Sequence, residues 1–172
     1  NNTITQYTGS GNSFYGMYLQ DGYGQEILNN KIRAEYNTQY GMYIYSYRGA
    51  SAGSRLKISN NELILNVTSS YYGIYFVYGN DYTDIYHNSV LLKGSGNGVA
   101  CLYLQNTSTD INIFNNNFVN ISGTTSATAT YAIYTSSQSY LTNFVMDYNN
   151  YYTIGQNMGY AGAAISDIAS WK

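Results

Sequence analysis

Two short motifs alternate along nearly the whole chain, and they limit its possible folds more than any other feature. The first is a small residue, an aliphatic, a Tyr and usually another apolar residue. It occurs as Gly16-Met17-Tyr18-Leu19, Gly41-Met42-Tyr43-Ile44, Gly73-Ile74-Tyr75-Phe76, Cys101-Leu102-Tyr103-Leu104 and, more weakly, Ala132-Ile133-Tyr134-Thr135. The second reads apolar-x-polar-Asn-x-apolar: Ile27 to Ile32, Ile58 to Leu63, Ile85 to Val90 and Ile113 to Phe118. Asn1-Asn2-Thr3-Ile4 fits its second half, and Asp147-Tyr148-Asn149-Asn150-Tyr151-Tyr152 is a looser copy. Successive motif tyrosines lie 25, 32, 28 and 31 residues apart. A period of this size marks a chain built from stacked units, each unable to bury its apolar face alone.

The local pattern identifies the unit. Met17/Leu19, Met42/Ile44, Ile74/Phe76 and Leu102/Leu104 alternate with period two, as strands do and helices do not. Tyr, Ile, Val and Thr favour strands, and the runs are punctuated by Gly, Ser and Asn as turns require. A period that wanders by several residues suits coils with fixed strands and variable turns. The expected fold is therefore all-β, a parallel β-helix (solenoid) of about five to six coils stacked at roughly 4.8 Å. Residues 1–155 are read as coils, beginning in mid-repeat and hence as a slice of a longer chain. Residues 156–172 are read as a loop and a short helical turn, with Ser166 as N-cap and Ile168 and Trp171 on its buried face.

Stacking turns the motifs into columns. Asn2, Asn30, Asn61, Asn88, Asn116 and Asn150 are expected to superpose at one sharp bend. Asn tolerates the left-handed backbone there, and its amide both donates and accepts between coils. The column Gly16, Gly41, Gly73, Cys101, Ala132 implies close backbone packing, with Cys101 a small buried apolar residue. If Met17 and Leu19 face inward, then Tyr18, Tyr43, Tyr75, Tyr103 and Tyr134 face outward as an aromatic ladder. Such a ladder either stabilises the sheet by stacking or forms a binding surface for glycans or a partner.

Composition narrows the function. Charged residues make up 9% of the chain, Pro is absent, and there are 23 Tyr, 17 Gly and 22 Asn. The apolar and aromatic content argues against disorder. Seven Lys+Arg against nine Asp+Glu give a net charge of −2, the wrong balance for a nucleic-acid partner. No apolar run is long enough to span a bilayer as a helix. One cysteine and one histidine, His87, allow neither an internal disulfide nor a His-based metal site or Ser–His–Asp triad. Aligning the Asn motifs puts Glu26, Lys57, Asp84 and Asn112 in one column, so the two acids flank a cation. Asp81 with Asp84 could reach the separation of about 5–9.5 Å that glycosidases use, but a solvated turn is the simpler reading. The Asn66, Asn106 and Asn120 sequons match the glycosylation acceptor pattern, as chance allows in an Asn-rich chain.

The two motifs together resemble the right-handed parallel β-helix repeats of the pectate-lyase-like superfamily. The closing Asp147-Tyr148-Asn149-Asn150-Tyr151-Tyr152, followed by Gly159-Tyr160 and Ser166 to Lys172, is similar to a segment of large secreted Bacteroidetes surface proteins exported by type 9 secretion. The resemblance implies a right-handed coil and a secreted or cell-surface location, with polysaccharide, surface glycan and the secretion machinery as partners. Enzymes of this fold use clustered acids, often with calcium. No clear acid cluster is present here, so no cofactor or metal is expected and no catalytic residue is assigned. The leading expectation is a non-catalytic adhesin-like or glycan-contacting scaffold. A fragment of a polysaccharide lyase or glycoside hydrolase is the alternative, and a tail-spike-like adhesin shares the fold.

Overall fold

The computed structural model describes residues 1–7, 14–36, 38–96, 99–106, 108–123 and 129–167. They form a parallel β-solenoid of about five turns. The chain enters on β1 (Thr3–Gln6). The first full coil is β2 (Phe14–Tyr23), β3 (Glu26–Leu28) and β4 (Lys31–Ala34). The second is β5 (Thr38–Arg48), β6 (Leu56–Ser59) and β7 (Glu62–Asn66); the third is β8 (Tyr72–Phe76), β9 (Thr83–Tyr86) and β10 (Ser89–Lys93). The fourth runs through β11 (Val99–Leu104), β12 (Ser108–Thr109), β13 (Ile111–Phe114) and β14 (Asn117–Asn120). The fifth follows with β15 (Thr130–Thr135), β16 (Leu141–Thr142), β17 (Val145–Asp147) and β18 (Asn150–Thr153), before β19 (Gly159–Ala161) and β20 (Ala164–Ile165).

Three sheets wall the column. Sheet I is β2-β5-β8-β11-β15-β19-β20, sheet II is β3-β6-β9-β13-β17, and sheet III is β1-β4-β7-β10-β14-β18. Every pairing within them is parallel except β19 with β20. The interior is filled by files of alternating residues, one from each coil. Ile27, Ile58, Ile85, Ile113 and Met146 line sheet II, and Ile32, Leu63, Val90, Phe118 and Tyr151 line sheet III. Most of these are completely buried, which is why a chain with so little charge folds around a continuous apolar core. Gly159–Ala161, expected to be loop, instead extends sheet I by one strand because its register against Ile133–Thr135 continues that of the coils below.

The asparagine file lies at the corner between sheets II and III. Asn2, Asn30, Asn61, Asn88 and Asn116 stack as expected, and all but Asn2 are buried. The central side chains are bonded through both amide atoms. Asn61 donates from its backbone N–H and from Nδ2 to Asn88 Oδ1 (3.1 and 2.9 Å), and Nδ2 also reaches the Ile27 carbonyl at 2.9 Å. Asn88 repeats this with Asn116 Oδ1 and the Ile58 carbonyl. Two expectations are corrected here. The last rung is Asn149, not Asn150: Asn116 donates to Asn149 Oδ1 at 2.9 Å from both its N–H and its Nδ2. Asn150 sits one place later in the ladder, where its exposed amide donates to Asn117 Oδ1 at 2.7 Å. The late motif starts at Met146, paired with Ile113, so its inward residue lies one position earlier than the hexapeptide alone indicates. The left-handed residue is also not the ladder asparagine but the one before it: Asn29, Asn60, His87, Asn115 and Tyr148 all have φ between 54 and 57°. The ladder residue itself lies outside the left-handed region, and its N–H donates to the Oδ1 of the next rung.

The small-residue column behaves as expected. A Cβ on Gly73 would come within 2.5 Å of both the Cys101 carbonyl oxygen and Val90 Cγ1, and Gly41 is enclosed in the same way by the Gly73 carbonyl. Cys101 is fully buried, its Sγ donates weakly to the Val90 carbonyl, and burial pushes its thiol pKa well up. The only helical turn among the described residues is the 3-10 turn Gln138–Tyr140. The turn expected over Ser166 to Trp171 falls mostly outside the described residues, as do Ile168 and Trp171; Ser166 hydrogen-bonds the neighbouring Asp167 side chain. No helix of the described residues is long and apolar enough to cross a membrane.

Candidate functional site

The outer face of sheet I brings together all five tyrosines expected there. Register pairs Tyr18 with Tyr43, Tyr43 with Tyr75, Tyr75 with Tyr103 and Tyr103 with Tyr134, and Tyr160 adds a sixth rung. Ring geometry alternates along the file. Tyr18/Tyr43, Tyr75/Tyr103 and Tyr134/Tyr160 are stacked at 5.0, 4.9 and 4.8 Å, while Tyr43/Tyr75 and Tyr103/Tyr134 meet edge to face. Tyr18, at the open end, is 53% exposed and the four after it are half-buried.

A second file runs beside the first and was not expected. Tyr15, Tyr40, Tyr72 and Tyr131 occupy matching positions on successive coils, with Ala100 taking the place between Tyr72 and Tyr131. Strict alternation from Tyr18 would turn each of them inward. Instead two consecutive residues face the core on each strand, Gly73 and Ile74 on β8 and Ala132 and Ile133 on β15. This double inward step, of the kind a β-bulge produces, returns the preceding Tyr to the outer face. The signal in the sequence is a Tyr three residues before four of the five ladder tyrosines. The files interlock: Tyr40 stacks on Tyr75 at 5.2 Å, Tyr72 lies 4.7 Å from Tyr103, and Tyr131 lies 5.4 Å from Tyr134.

The charges of sheet I sit at the ends of β2 and β5, where Asp21 accepts from Gln20 and Arg48 donates to the Tyr23 hydroxyl. The flanking outward residues Gln20, Gln105 and Ser136 are polar and uncharged, and they bond the hydroxyls of Tyr18, Tyr75 and Tyr103. Burial, and then the neighbouring phenols Tyr103, Tyr40 and Tyr134, push the Tyr72 pKa up to about 12; Tyr75 is raised further by burial and by its neighbours. A phenol whose folded pKa exceeds its unfolded value adds stability that is complete below the unfolded pKa and is lost as pH rises through the folded one. Alkaline destabilisation is therefore expected between pH 10.0 and about 12, with late phenolate absorbance in the folded chain and ordinary absorbance in denaturant. Coincident titration of folded and unfolded chains would remove the desolvated ladder.

The acids are engaged elsewhere. The column Glu26, Lys57, Asp84, Asn112 exists as expected, and Lys57 pairs with Glu26 at 2.9 Å. Asp84, however, is held by Arg55 Nε and Asn112 Nδ2, both at 2.7 Å. Asp81 Oδ1 accepts from Thr109 N–H and Oγ at 2.9 Å. Glu62 bridges Lys31 and Arg33 at 3.0 Å each, and those hydrogen bonds hold its carboxyl below the usual range. Among the described residues no three His, Cys, Asp or Glu side chains converge as a metal site would require. The Asn120 amide is buried and donates to the Tyr131 carbonyl, so its sequon is inaccessible in the folded coil.

Family models, curated proteins and solved structures were all compared with this chain, and none of them matches it.

Proposed function

We propose that the chain is a non-catalytic scaffold segment of a secreted or cell-surface bacterial protein, coiled in the right-handed pectate-lyase-like manner, and that sheet I contacts neutral glycan. The observation that carries this reading is the double file of ten tyrosines on sheet I, with Asp21 and Arg48 confined to the C-terminal ends of β2 and β5. Their ring faces lie mostly against one another, so a ligand would meet ring edges and hydroxyls. Tyr43, Tyr134 and Tyr160 hold no hydrogen bond to a described residue through their hydroxyls, which leaves these free to donate to and accept from sugar hydroxyls. A scaffold is favoured over a lyase or hydrolase by the use of Asp81 and Asp84 as stitches between coils.

The test is affinity electrophoresis of the chain in cellulose-derived glucan, xylan, mannan and polygalacturonate. The triple variant Tyr43→Phe/Tyr134→Phe/Tyr160→Phe keeps every ring and removes three free hydroxyls. It is expected to bind a neutral polymer at least tenfold more weakly, with its unfolding midpoint unchanged. Retention equal to that of the parent chain, or no retention on any polymer, would end the glycan reading; shortening of the polymer would put an enzyme in its place.

A further inference from the structure

A different face of the solenoid carries a formed hollow of about 500 Å³, within the size range of small-ligand sites. It lies over β9 and β13 of sheet II and includes no tyrosine of the two files. Its floor is the outward rings of Tyr86 and Phe114, which are register partners on adjacent coils. Unlike the sheet I tyrosines, these two rings make no ring contact with each other, and Tyr86 meets His87 edge to face at 5.5 Å. Both rings are half-buried, and neither is stacked on another ring of the described residues.

Polar groups line both edges. On one side Asp84 and Asn112 are locked together, because Asp84 Oδ1 takes hydrogen bonds from Asn112 Nδ2 and Arg55 Nε. Arg55 is itself fixed by the carbonyls of Thr83 at 3.3 Å and Asp110 at 2.6 Å. This leaves Asp84 Oδ2 and Asn112 Oδ1 as two adjacent, immobilised acceptors. The opposite edge is the left-handed corner, where His87, Asn115 and Tyr148 project from successive coils. Asn115 offers a donor and an acceptor, and the Tyr148 ring is 79% exposed. No Lys or Arg lines the hollow.

We propose that this hollow binds one pyranose unit of a neutral sugar. The C–H face of the ring would lie on Tyr86 and Phe114, and two neighbouring hydroxyls would donate to Asp84 and Asn112. With Asp84 Oδ2 facing the hollow and no Lys or Arg lining it, a uronic acid would be disfavoured. The site is independent of the glycan-contacting role proposed for sheet I, because it shares no residue with it.

The experiment is amide chemical-shift mapping of the chain titrated with the methyl glycosides of glucose, galactose and mannose, and with the sodium salt of the methyl glycoside of galacturonic acid. At least one neutral glycoside is expected to shift the amides of residues 84–87 and 112–115 with a Kd near about 1 mM. Galacturonate is expected to bind at least tenfold more weakly. Phe114→Ala is expected to weaken the neutral sugar at least tenfold. Tyr148→Gly, an exposed position already at φ 55°, should weaken it severalfold without disturbing the fold. Equal affinity for galacturonate, no shift with any neutral glycoside, or unchanged binding in both variants would overturn the proposal. Shifts confined to sheet I would overturn it while leaving the reading of the tyrosine face intact.

Discussion

Asn88→Ala is expected to destabilise the solenoid by about 3–5 kcal/mol in equilibrium urea unfolding. The loss does not come from volume, since the Asn88 side chain is small. It comes from the partners left behind. Asn61 would lose the acceptor for both its N–H and its Nδ2, the Ile58 carbonyl would lose its Asn88 donor, and Asn116 Oδ1 would keep only the backbone N–H of residue 88. All of these sit where water does not reach, so each orphan carries a desolvation penalty of about 1–3 kcal/mol, partly relieved by relaxation. Asn150→Ala is the matched control. Its amide is exposed and outside the buried file, so the change should stay within about 0.5 kcal/mol. Similar losses at the two sites would mean that the buried amide file does not hold the corner.

Tyr75→Ala is expected to cost about 2–4 kcal/mol. Its ring touches four others: Tyr40 at 5.2 Å, Tyr43 at 5.4 Å, Tyr72 at 5.0 Å and Tyr103 at 4.9 Å. The rotamers of these neighbours are set by one another, so removing the central ring loosens both files. Tyr75→Phe keeps the rings and loses only the bond to Gln105, for about 1 kcal/mol. Tyr148→Ala, on the far more exposed corner, should be nearly neutral. If thermal unfolding places Tyr75→Ala beside Tyr148→Ala, the files are surface decoration. The contrast also governs how the glycan surface can be tested. Alanine at a ladder position removes sheet stability together with any binding, whereas phenylalanine separates them.

Much of this architecture was legible in the residues. The inward files follow from period-two alternation, and the amide column follows from an Asn recurring at one place in each coil. Three details were not. The motif at Met146 to Tyr151 was displaced by one residue because Asp147-Tyr148-Asn149-Asn150 offers two asparagines, and only the pairing of Met146 with Ile113 chooses between them. The left-handed conformation was assigned to the ladder residue because Asn suits it, yet Tyr148 adopts it at φ 55° where the corner requires it. The second tyrosine file was hidden by the assumption of unbroken alternation, which the paired inward residues Gly73 and Ile74 interrupt.

By itself the sequence determined the kind of object: parallel coils, an apolar interior, a corner of stacked amides and an outward tyrosine on each turn. These follow from which side chains avoid water and how often they recur, and both are properties of the chain read in one dimension. Tertiary structure alone decided which rings cover each other on sheet I, that Tyr86 and Phe114 stay apart on sheet II, and that Asp84 bonds Arg55 and not Lys57. Those outcomes depend on distances between residues some 28 positions apart, set by inter-coil register and by turns whose lengths vary, and no local pattern carries that information.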